Sequence, residues 1–79
     1  MDPELQKEYD NYFSMFASEG WKQFIEDMED IYDSYRIEDI KDEKNLAYVK
    51  GERRMLFQVI RFEGAMKRAY DSLVEQQDA

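Results

Sequence analysis

The 79-residue chain contains no cysteine, no histidine and no threonine, and it has only one proline and three glycines. Each absence closes a route. Without cysteine, neither a disulfide nor a thiolate metal site can reinforce a core this small. Without histidine, the usual general base at neutral pH is missing, along with the commonest zinc ligand and every Ser-His or Cys-His pair. The serines Ser14, Ser18, Ser34 and Ser72 sit in no glycine-rich elbow and beside no lysine motif. These omissions argue against an enzyme and call for no cofactor and no metal. Long apolar runs are also absent, none exceeding four residues, and the first twenty residues are acidic. Neither a signal peptide nor a membrane span is therefore expected. A chain free of cysteine fits a reducing compartment.

What the chain does have is charge, unevenly placed. The net charge is −8. Residues 1–18 carry −3, residues 19–43 carry −7, residues 44–68 carry +5 and residues 69–79 carry −3. An acidic piece followed by a basic one suggests self-complementarity more than a nucleic-acid surface.

Helical periodicity accounts for nearly all of the length. Asp2 as N-cap and Pro3 at the first helical position open a helix over about 3–17, whose apolar face is Leu5, Tyr9, Tyr12, Phe13 and Phe16. Ser18 can cap a second helix over about 19–35, with Glu19 in its first turn and a stripe of Trp21, Phe24, Ile25, Met28, Ile31, Tyr32 and Tyr35. Gly20 favours a break or bend between the two. The stretch RIEDIKD, residues 36–42, breaks the register and reads as a connection, with Asp42 capping the next helix. From about 43 to 76 the pattern predicts one long helix with two apolar rows, Tyr48, Met55, Val59, Phe62, Met66, Ala69 and Leu73 beside Val49, Leu56, Ile60, Tyr70 and Val74.

The expected fold is thus a single all-α domain: an antiparallel helical hairpin with a long C-terminal helix and a shorter N-terminal one. At about 1.5 Å per residue the last helix reaches on the order of 50 Å, against roughly 25 Å for the middle one. Its wide stripe therefore needs more than one neighbour, which points to a homo-oligomer or a larger protein partner. Trp21, Phe24, Met28, Ile31, Leu56 and Ile60 are the expected hairpin core. Tyr9, Tyr12, Phe13, Met66, Tyr70 and Leu73 are the expected partner surface, tyrosine being amphipathic and enriched at interfaces. Gly20 and Gly51 are read as sites of close packing.

Two charged constellations stand beside that surface. Glu26, Glu29, Asp30 and Asp33 share one helix face, with Asp27 next to it. Such a row is ordinarily a solvated face, here balanced in part by the basic segment. It could also imitate nucleic-acid phosphates and occupy a host enzyme's binding groove. It could also hold Ca²⁺ or Mg²⁺ loosely, although no EF-hand spacing accompanies it. The basic residues Lys50, Arg53, Arg54, Arg61, Lys67 and Arg68, with Phe57 and Phe62 nearby, suggest nucleic-acid binding only weakly. The domain is acidic overall, and these residues are expected to face an acidic neighbouring helix.

FASEGWKQFIEDME (residues 16–29) and DEKNLAYVKGERRML (residues 42–56) together resemble the paired signature of small, functionally uncharacterised proteins encoded by tailed bacteriophages, especially short-tailed ones. The residues that carry the resemblance are Phe16, Gly20, Trp21, Lys22, Asp42, Leu46, Lys50 and Gly51, and the two stretches lie within residues 16–56, about half of the chain. It implies a helical hairpin in a phage context, located in the host cytoplasm or the virion, and no catalytic residue. The leading expectation is a virion or assembly accessory protein. The rival is an acidic inhibitor of a host nucleic-acid-processing enzyme.

Overall fold

A computed structural model describes residues 1–78, and all regular structure among them is helical. Helix α1 spans Pro3–Phe16, α2 Glu19–Ser34, α3 Glu43–Ile60 and α4 Phe62–Asp78, with one 3-10 turn at Ile37–Asp39. Three of the helix starts are set by local side-chain chemistry. Asp2 accepts from the Glu4 N–H at 3.1 Å, Ser18 from Trp21 N–H at 3.1 Å, and Asp42 from Lys44 N–H at 3.1 Å. Each carboxylate or hydroxyl satisfies one of the amides that a helix leaves unpaired at its first turn. Ser18 also closes α1, because its hydroxyl donates to the Met15 carbonyl at 2.7 Å. The chain thus breaks at Ala17 and Ser18, and Gly20 lies inside α2.

The long C-terminal helix expected over 43–76 is divided at Arg61. Arg61 has φ −86° and ψ −3°, flatter than helical ψ. The hydrogen-bond ladder nevertheless runs through it: Arg61 N–H donates to Phe57 O and Ala65 N–H donates to Arg61 O, both at 3.0 Å. The result is a bend within a continuous path of backbone hydrogen bonds. Its location has a packing cause. α3 pairs with α2, whereas α4 pairs with α1. Phe62, the first residue beyond the bend, sits against Phe16 and Tyr12 at ring-centroid distances of 5.8 and 5.4 Å.

The core is thin. Phe16 is the one buried hydrophobic side chain among the described residues, 4% exposed. It packs against Trp21 at 5.1 Å as well as Phe62 at 5.8 Å, joining α1, α2 and α4 at one point. Of the expected hairpin core, Trp21, Met28, Leu56 and Ile60 are half-buried, while Phe24 and Ile31 remain 44% and 43% exposed. The glycines also depart from expectation. A Cβ placed on Gly20 or Gly51 would meet nothing within 4 Å, so neither accommodates a close approach within this chain. The radius of gyration is 17.0 Å, against about 12 Å for a compact domain of this length.

A substitution at the junction tests this arrangement. Phe16→Ala should remove about 3–5 kcal/mol, the range for deleting a buried phenylalanine, out of a total that is small for any chain of this size. The expected outcome is loss of a cooperative thermal transition in circular dichroism; a melt like that of the wild type would show that the core lies elsewhere.

A candidate interaction surface

The aromatic residues assigned to a partner surface are largely occupied with one another. Tyr70 of α4 lies edge-on to Tyr9 at 5.2 Å and to Phe13 at 5.1 Å, both on α1. Its hydroxyl donates to Gln6 Oε1 at 3.2 Å. Tyr12 meets Phe62 edge-on at 5.4 Å yet stays 39% exposed. Met66 and Leu73 are half-buried. Tyr9, Tyr12 and Phe13 thus meet Tyr70 and Phe62 across the α1–α4 contact, with Tyr12 the most exposed of the three.

Among the described residues three side-chain hydrogen bonds join elements distant in sequence, and every donor is aromatic. Besides Tyr70, the Tyr35 hydroxyl donates to Glu52 Oε2 at 2.7 Å and the Trp21 indole N–H donates to Glu63 Oε1 at 3.1 Å. Hydrogen bonding to Glu52 holds the Tyr35 hydroxyl above its ordinary pKa, with some desolvation adding to the effect, and the same carboxylate raises Tyr48. Glu63 moves the other way. The hydrogen bond from Lys67 at 2.6 Å pulls its carboxyl below the usual range; desolvation opposes this and the Trp21 bond reinforces it.

The acidic row of α2 is fully on the wet side. Glu26, Asp27, Glu29, Asp30 and Asp33 are all exposed. The expected charge balance with the basic segment is not found: the ion pairs among the described residues are Lys22–Glu19 and Lys67–Glu63, each within one helix. The acids point away from α3 because they occupy the face of α2 opposite its apolar stripe. No group of three or more acidic side chains among the described residues is placed to hold a metal ion. The cations are engaged with rings instead. Arg53 lies over Tyr32 at 4.6 Å and Arg61 over Phe57 at 5.2 Å, arrangements worth about 0.5–1 kcal/mol when exposed. With Lys50, Arg54 and Ile37, the residues Tyr32, Arg53 and Phe57 line an open depression of about 320 Å³.

The surface that sequence reasoning left unassigned is apolar. Tyr48 is 69% exposed and Met55 63%, the largest values among the exposed large hydrophobic residues. Met55 and Val59 border two adjoining depressions: one is completed by Met15, Trp21, Gln58 and Phe62, the other by Ile31, Tyr35, Glu52 and Leu56. The signal was present in the sequence as the width of the apolar stripe. What it lacked was the information that α2 covers one row and leaves the other open.

Comparison with protein-family models, curated proteins and solved structures yields no match. No helix among the described residues is long and apolar enough to cross a membrane.

The Glu63 site predicts a pH dependence. A carboxyl whose folded pKa is lowered contributes stability that is present above the ordinary value of 4.5 and is lost as pH falls through the lowered one. Fluorescence of Trp21, the only tryptophan, should therefore change below about pH 4.5 and Glu63→Gln should flatten that step. An unchanged titration in the Glu63→Gln variant would sever the link between Glu63 and the indole.

Proposed function

We propose that this chain is a non-enzymatic protein–protein interaction module that self-associates or docks as a short helical piece on a larger protein. The observation that carries the reading is the shortage of interior: among the described residues Phe16 alone is buried while Tyr48, Met55, Phe57, Phe24 and Ile31 stand exposed. A chain of this size with so little buried apolar area gains most of its remaining stability by covering that area against a partner. The order of contacts along α2 and α3, Tyr35 with Glu52 and Tyr32 with Phe57, supports an antiparallel hairpin as the working unit. A role as a phage virion or assembly accessory protein, in the host cytoplasm or the particle, rests on the resemblance carried by the Gly20-Trp21 and Lys50-Gly51 pairs.

Light scattering at low and high salt tests self-association. The expected outcome is a mass above the 9.6 kDa of one chain that persists at high salt, since apolar contacts are not screened. A monomer at both salts would remove the self-associating reading.

A second reading is favoured by one specific observation. The α2 carboxylates are exposed and, among the described residues, make no ion pair with another helix, so they can meet a cationic groove of the kind that binds nucleic acid. Under this reading the combined charge reversal Glu26→Lys, Asp30→Lys and Asp33→Lys abolishes capture of a nucleic-acid-processing enzyme from host extract. Retained capture would exclude the mimic.

A further inference from the structure

Gly51 is unexplained by the fold of a single chain. It lies within α3, where glycine costs about 1 kcal/mol relative to alanine, and nothing stands within 4 Å of where its Cβ would be. Its helical neighbours on that face are Tyr48, three residues before it, and Met55, four residues after. These are the two most exposed of the large hydrophobic residues, at 69% and 63%. A gap between two protruding apolar side chains is the shape into which another helix backbone can settle.

The exposed area is large enough for a missing neighbour. The accessible surface is 6345 Å², whereas a folded chain of this mass exposes about 5,100 Å². The excess, on the order of 1,200 Å², exceeds the roughly 800 Å² that each partner contributes to a standard protein interface. The apolar groove bordered by Met15, Trp21, Met55, Val59 and Ile31 runs beside the same stripe. The acids of α2 lie on another face, whereas Arg54, three residues after Gly51, flanks the contact on each copy.

We propose that a second copy of this chain docks here, α3 crossing α3 antiparallel about a two-fold axis at Gly51. This rests on the self-associating reading above and names its surface. A self-complementary two-fold contact is the commonest way for identical chains to pair. With the axis between residues 51 and 52, Met55 of each copy falls against Tyr48 of the other. Methionine sulfur packs favourably on aromatic rings and its flexible side chain adapts to the groove. The backbones approach at Gly51, and each copy's Met55 and Val59 extend the contact toward the groove.

Gly51→Ala and Met55→Glu test the surface, read by sedimentation equilibrium beside the wild type. Alanine is the better helix former, so Gly51→Ala keeps or raises helicity while weakening the dimer; Met55→Glu should weaken it about thirtyfold or more, as expected for a central contact. The absence of native cysteine gives an independent measurement. Chains carrying Tyr48→Cys, mixed with chains carrying Met55→Cys, should form the mixed disulfide and not either homodimeric one. If the wild type dimerises but neither substitution weakens the dimer, or the mixed cysteine-bearing chains give no mixed disulfide, this surface is overturned and self-association is left standing. A monomeric wild type overturns both.

Discussion

Everything in this fold depends on one aromatic junction. Phe16 is the last residue of α1, and its ring touches Trp21 near the start of α2 and Phe62 at the start of α4. Those contacts decide the direction in which α1 leaves and the residue at which the C-terminal helix bends. Away from the junction the helices are held by pairs of half-buried rings and by tyrosine hydroxyl donors, with little interior behind them. Aromatic residues suit this arrangement because each supplies a large apolar area together with a polar edge, so a contact can be strong without being fully buried. The elongated shape results, since such contacts align helices side by side and do not wrap them around a centre.

Charge plays a different part from the one its distribution along the chain suggests. Acidic and basic segments adjacent in sequence invite the idea of two helices zipped together by ion pairs, yet the ion pairs are confined to single helices. Helix periodicity explains this. The apolar stripe of α2 must face α3, and that puts the carboxylates on the far side. Arg53 of α3 and Arg61 just beyond its end then turn to the rings of Tyr32 and Phe57. The helices are held to one another by apolar contacts, by hydrogen bonds from aromatic donors and by the Arg53–Tyr32 cation–π contact, while the carboxylate face of α2 stays exposed.

The all-helical class and the three capped starts were legible in the sequence because they are local. A residue such as Asp2, Ser18 or Asp42 needs only the next two or three amides to act as a cap. The bend at Arg61 was not legible, since no proline or glycine marks it and its cause lies 45 residues away at Phe16. The same distance effect governs the candidate site. Periodicity placed Tyr9, Phe13 and Tyr70 on apolar faces, but which faces would meet within one chain depends on the bend. Met55 and Tyr48 belonged to a recognisable row, and their exposure became visible only once α2 was seen to settle on the other row.

The placement of the carboxylates on α2 has an energetic side of its own. Glu29, Asp30 and Asp33 lie in the last turns of that helix, where the backbone carbonyls gather partial negative charge, and no basic residue occupies the final turn. The end of α2 is therefore electrostatically frustrated, its side chains and its dipole opposing each other. That end should fray before the end anchored at Ser18 and Trp21. Any cationic surface that settled against it would relieve the repulsion and tighten the helix in the same step, coupling contact at the acidic face to order in the connection that leads into α3.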